Sequence, residues 1–164
     1  MILTVLNHAS SKRIACPICG EFGNRVELFT VHSLVQESFI ATIREDLYFF
    51  CANPDCEVVY YSFCKDVIRK CQIKTRVGLK EKEAPRPVCY CFGHTIEDSH
   101  EEIQQKGRGT VEKEISDKIQ AGLCHCEDAN PEGRCCLGNV AIAVREAFGL
   151  YTKQEELDAL NKSY

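Results

Sequence analysis

Two close pairs of cysteines, Cys16-Pro-Ile-Cys19 and Cys51-Ala-Asn-Pro-Asp-Cys56, stand 31 residues apart in the first half of the chain. A tetrahedral zinc ion needs four soft ligands, and two such knuckles supply them from two turns. The spacing therefore predicts one structural zinc held by Cys16, Cys19, Cys51 and Cys56. Iron is the alternative ion for the same thiolates. The plainer reading, four buried free cysteines, leaves the paired spacing without a reason. With four protein ligands the site is closed and offers no position to a substrate. For a small β-rich unit the metal replaces missing core, since structural zinc contributes about 10–16 kcal/mol of apparent binding energy.

The chain has twelve cysteines in 164 residues, an even number that six disulfides could also use. Its opening argues for metal instead. MILTVL is apolar but too short for a signal-peptide core, and it runs into NHASSKR without a cleavage pattern. No stretch approaches the roughly 20 apolar residues of a membrane-spanning helix. A cytoplasmic protein without membrane insertion is expected, and reducing conditions there favour closely spaced thiols as metal ligands. The net charge of −4 and pI near 5.8 exclude a nucleic-acid partner bound through a basic footprint.

The cysteine-dense blocks flank a charged, proline-containing stretch, GLKEKEAPRP (78–87). Its prolines disfavour helix and strand. The expected organisation is a zinc-binding domain over 1–78, a linker over 79–88 and a second metal-binding domain over 89–164. In the first, RVELFTV (25–31), LYFF (47–50) and EVVYY (57–61) read as strands, and SLVQESFIATI (33–43) as a short helix. In the second the pattern turns helical. Thr95 with Asp98 three residues on predicts a capped helix start. Val111, Ile115, Ile119 and Leu123 give one apolar face over 110–123. Further helices are expected at 138–150, buried, and 152–160, acidic and solvated.

Six cysteines fall in the second half: Cys89, Cys91, Cys124, Cys126, Cys135 and Cys136. The C-x-C pair Cys89-Tyr-Cys91 does not give the open angle of a zinc knuckle. Four thiolates around an iron–sulfur cluster fit the count, with further ligands from the loop CHCEDANPEGRCC. Cys64 and Cys71 stand seven apart, outside both groups, and read first as small buried hydrophobes; an accessory thiol pair for copper or redox exchange is the sharper alternative. His94 and His125 lie beside cluster cysteines, but no spacing requires either as a ligand. No phosphate loop, activated nucleophile or open metal position is visible, so the chain reads as an electron-transfer or metal-binding protein rather than an enzyme, with no catalytic residues.

PVCYCFGHT (87–95), followed some thirty residues later by further cysteines, resembles the bacterioferritin-associated ferredoxin-like [2Fe-2S] domain, a small helical fold. The order C-x2-C, FCANPDCEVVYY, KTRVGLKEKEAPRPVCYC and NPEGRCC is similar to the N-terminal domain of the CopZ copper chaperone family, from Cys16 to near Leu150. That resemblance implies an α+β chain: a small zinc-bound β-rich domain followed by an all-helical, ferredoxin-like [2Fe-2S] domain. It implies one zinc ion and one [2Fe-2S] cluster. Interval alone would choose Cys124 as third cluster ligand, whereas the NPxGRCC frame implies Cys126, with Cys136 fourth. The resemblance thus implies Cys89, Cys91, Cys126 and Cys136 as the cluster set, with Cys135 a bystander. It also implies one-electron transfer linked to copper trafficking: reduction of Cu(II) to Cu(I), or electrons supplied to a separate copper carrier or other redox protein partner, with a link to a copper-transporting ATPase. Met1 is the only methionine, so the family's second, copper-binding domain with its M-x-C-x2-C motif is expected to be absent. The contrasting expectation is a non-redox interaction or sensor module with structural metal sites.

Overall fold

The computed structural model describes residues 13–161. MILTVL and His8 lie outside them. The first half is built on a four-stranded antiparallel meander in the order β1–β2–β3–β4: β1 Asn24–Val26, β2 Tyr48–Phe50, β3 Val58–Ser62 and β4 Val67–Arg69. Every residue of β2 and β3 is buried. Strand side chains alternate between faces, so both faces must be covered. Tyr48, Phe50 and Tyr60 enter a core with Val31 and Leu34 of helix α1 (Leu28–Leu34). Phe49, Val58 and Tyr61 enter the opposite core, built around Cys16, Cys51 and Cys56. The cysteine knuckles are thus the second cover of the sheet, which explains why LYFF and EVVYY carry no polar alternation.

Two expectations are corrected here. The strand expected over 25–31 stops at Val26, because Glu27 is an extended cap and Leu28 begins α1, which buries Thr30, Val31 and Leu34 on one face. The helix expected over 33–43 is two short pieces, the end of α1 and α2 (Glu37–Ile40). Val35 breaks it by bridging to Ile73, and Gln36 donates to the carbonyls of Cys71 and Ile73 through its side chain.

The stretch expected as a linker begins with a 3-10 turn, Gly78–Lys80, and runs into β5 (Pro87–Cys89). Gly78 is required by close approach: a Cβ there would lie 1.7 Å from the Pro87 carbonyl oxygen. The second half was expected to be all-helical, yet it opens on an antiparallel ladder of β5 with β6 (His94–Thr95). The C-x-C turn is what reverses the chain between them. Helix α3 (Ile96–Lys106) starts at Thr95 as expected: Thr95 Oγ1 accepts from the Asp98 amide, and Asp98 accepts from the Thr95 amide. Helix α4 (Val111–Gln120) ends before 123 because Gly122 takes φ +74°. After α5 (Cys126–Ala129), the two C-terminal helices expected at 138–150 and 152–160 are one, α6 (Leu137–Asn161). Gly149 within it faces open space and does not interrupt it. Val111, Ile115 and Val140 form the core of this half with Val88, Cys89, Cys126 and Cys136.

The halves are joined by hydrogen bonds. Thr30 Oγ1 donates to the Glu127 carbonyl at 2.7 Å, and Tyr60 OH to the Pro131 carbonyl at 2.8 Å. Among the described residues, no helix is long and apolar enough to cross a membrane.

Candidate metal centres

The turn at Cys16–Cys19 closes on Gly20, which at φ +79° donates to the Cys16 carbonyl, while the Cys16 amide donates to Glu21. In the second knuckle Asn53 accepts from the Asp55 amide through its side chain, and the Cys56 amide donates to the Asn53 carbonyl. Asn53 Nδ2 also reaches Glu21 Oε1 at 3.0 Å, tying one knuckle to the other.

These turns bring Cys16, Cys19, Cys51 and Cys56 together, all four sulfurs within 4.8 Å of one another, with Cys19 and Cys51 at 3.6 Å. Zinc–sulfur bonds near 2.3 Å in a tetrahedron put sulfurs about 3.8 Å apart, so the donor set fits zinc. Burial pushes the Cys51 and Cys56 thiols up. Burial also pushes on Cys19, but the Glu21 amide and the neighbouring thiols outweigh it and lower that group. The amides of Glu21, Asn53 and Val58 donate to the sulfurs of Cys19, Cys51 and Cys56, each two residues on. Amide donors of this kind favour the thiolate form that a metal needs.

The second group collects thiols from three stretches of chain. Cys91 and Cys126 are 3.2 Å apart, Cys124 and Cys126 3.5 Å, and Cys91 and Cys124 4.0 Å. Cys89 and Cys136 are both buried, and the interaction between their thiols pushes Cys89 down and Cys136 up. Burial raises Cys91 and Cys126, and the Cys126 amide lowers Cys124. Cys136 also contacts Cys126. In this half the sulfurs of Cys91, Cys124 and Cys126 all lie within 4.8 Å of one another, while Cys89 and Cys136 are buried in the core beside them. The cysteines named for the cluster, Cys89, Cys91, Cys126 and Cys136, are thus gathered in one place together with Cys124, and a [2Fe-2S] site uses four such thiolates. The donor chemistry fits the cluster. Cys124 stands as near to Cys91 and Cys126 as a ligand would, but is less buried than Cys126.

Cys135 faces solvent. Cys64 and Cys71, expected to be buried, are both exposed. Strand β4 lies between them, so the two-turn helical spacing that would align them does not exist. His125 is exposed and pairs with Asp128 at 2.9 Å. His94 lies opposite Cys89 in the β5–β6 ladder.

Sequence reasoning missed Asn130, which is 1% exposed. Its side chain donates to the Arg134 carbonyl at 2.7 Å and accepts from the Glu132 amide at 3.0 Å. Those bonds shape the turn that delivers Cys136. The NPEG sequence was a turn signal that could have exposed it.

The family model for the CopZ-type zinc binding domain (zf_CopZ) matches residues 13–74, a span that holds all four knuckle cysteines. The solved N-terminal domain of Archaeoglobus fulgidus CopZ aligns with 38% identity and a TM-score of 0.64, covering 75% of this chain and 92% of that domain. The chain belongs to the family of the CopZ N-terminal domain. The full Archaeoglobus fulgidus copper chaperone CopZ is 40% identical over 121 residues, 74% of this chain. The aligned chain spans 57% of that CopZ's length. The zinc-binding half is therefore a shared CopZ feature, and a mixed fold with its antiparallel sheet first and its helices after accompanies it.

Proposed function

We propose that the chain is a zinc- and [2Fe-2S]-containing redox protein that passes single electrons in copper or related metal trafficking. The observation that carries this reading is the second thiol group, separate from the zinc knuckles, in a relative of a copper chaperone. Cys16, Cys19, Cys51 and Cys56 hold the zinc, which is structural. Cys89, Cys91, Cys126 and Cys136 hold the cluster. A cluster so held supplies one reversible electron.

The remaining work falls to the chain itself. Buried Cys89, Cys126 and Cys136 keep water from one side of the site. Exposed Leu123 and His125 mark the side a partner can approach. Lys118 lies 5.0 Å from the Phe92 ring and places a positive charge near Cys89, which it helps to lower. The partner is a redox protein or a copper carrier that feeds a copper-transporting ATPase, in the cytoplasm. The boundaries that suit this division are a zinc-binding unit to residue 78 and a cluster-binding unit from 89.

The test is metal analysis with visible and paramagnetic resonance spectra of anaerobically purified protein. One zinc, two irons and a signal that appears on reduction are expected. Absence of a reducible [2Fe-2S] signal refutes the redox reading. The second reading, a non-redox interaction or sensor module, draws on the exposed Ile142, Leu150 and Leu157 of α6. It is favoured if the cluster falls apart on reduction instead of reoxidising with a partner.

A further inference from the structure

Lys80 sits in a run of charges, GLKEKE, where every residue would be expected to face water. It is instead 3% exposed. Its Nζ donates to the Asn53 carbonyl at 2.6 Å and to the Cys56 carbonyl at 3.0 Å, and lies 5.8 Å from the centre of the Phe50 ring. Nearby carboxylates are engaged elsewhere: Glu81 with Lys70 and Arg76, and Asp55 with Lys82. Among the described residues no carboxylate forms an ion pair with Lys80. A buried ammonium without a counter-charge is strongly disfavoured, and carbonyl dipoles alone do not neutralise it.

The turn that Lys80 grips runs between Cys51 and Cys56. Four thiolates around a divalent ion leave a formal surplus of negative charge. We infer that Lys80 is the counter-charge of the zinc–thiolate centre, and that through it zinc pins the segment leading to Cys89 against the zinc knuckle. The inference rests on the assignment of zinc to Cys16, Cys19, Cys51 and Cys56.

The connection beyond Lys80 is short and tight. The Gly78 amide donates to Tyr90 OH at 2.9 Å, and Gly78 lies flat on Pro87. Lys70 Nζ donates to the Lys80 carbonyl at 3.0 Å. Tyr90 stands between Cys89 and Cys91. The zinc knuckle is thus tied to the C-x-C turn through the Lys80 side chain, the Gly78 backbone and the Tyr90 hydroxyl. Lys80 Nζ hydrogen-bonds backbone carbonyls of the knuckle and not a ligand sulfur, so it is a positioning residue.

Amine acylation of the native zinc-loaded protein, mapped by mass spectrometry, tests this without a substitution. Lys80 should react at least about tenfold more slowly than Lys82, whose side chain is 79% exposed, and should become reactive once a chelator has removed the zinc. Equal labelling in the zinc-loaded form overturns the inference, and so does protection that survives complete zinc removal. Lys80→Met should speed zinc transfer to a chelator by about tenfold and, with cobalt in place of zinc, move the sulfur-to-metal charge-transfer band to lower energy. Lys80→Arg should restore both. An unmoved band in folded Lys80→Met also overturns it. A wild-type protein that binds no zinc sinks the zinc assignment instead, which metal analysis reads separately.

Discussion

Cys124 and Cys126 differ by two positions and by their surroundings. Cys126 is 4% exposed and contacts both Cys91 and Cys136, whereas Cys124 contacts Cys91 and Cys126 from a less buried position. Cys126→Ser should therefore abolish the visible absorbance of the cluster and Cys124→Ser should leave it; the reverse result would reassign the third ligand. The sequence made both candidates visible because ligand spacing is local. It could not separate them, since which thiol turns inward depends on the Asn130 turn and on packing with Cys136. Lys80 was illegible for the same reason: one lysine in a charged run carries no sign of burial. Gly78→Ala should cost about 3 kcal/mol, the upper end for overpacking, because the obstacle is the Pro87 backbone and not a movable side chain. Denaturant unfolding would measure it.

The elements that the sequence made legible are those with one exposed face or a local cap. Helix α3 has its reciprocal Thr95–Asp98 cap, and α4 its apolar stripe. The strand–helix switch after Val26 was hidden, since Val26, Leu28 and Thr30 alternate as in a strand, whereas the helix buries Thr30, Val31 and Leu34 on one face. The start of α4 is held from outside. Glu102 of α3 accepts from the amides of Thr110 and Val111, from the Thr110 hydroxyl and from Lys106. Burial pushes the Glu102 carboxyl up, but these donors outweigh it and bring the group from 4.5 down to about 2. A folded-state value below the unfolded one means that this stabilisation is complete above pH 4.5 and is lost as the pH falls towards 2. Glu102→Gln should cost about 1 kcal/mol at pH 7, as loss of a helix cap does. The gap between wild type and variant should close between pH 4.5 and 2, read from paired denaturant unfolding curves. A gap independent of pH would assign the effect to shape alone.

Across the whole molecule the two halves meet through buried polar contacts as well as apolar ones. Tyr60 is fully buried, and its hydroxyl is the donor to Pro131 in the turn between Cys126 and Cys136. Tyr60→Phe should cost about 1–3 kcal/mol by leaving that carbonyl unpaired. It should also speed loss of the visible chromophore on dilution, although residue 60 lies in the zinc-binding half. Gly133, at φ +64°, lies where a Cβ would come within 3.0 Å of Thr30, so the same turn is fitted to α1 as well. Such fitting between distant segments is global information and has no local signature in the sequence.

Between Cys91 and Cys124 the chain leaves the thiols, makes α3 and α4, and returns. Lys106–Arg108 forms the tip of that excursion, with Gly107 at φ +64°. Closing a flexible loop becomes costlier only slowly with length, by about 0.6 kcal/mol per doubling. A peptide tag or fluorescent reporter spliced in at this tip should therefore leave the sulfur arrangement in place, making it the natural point of attachment for following the protein with its metals on board.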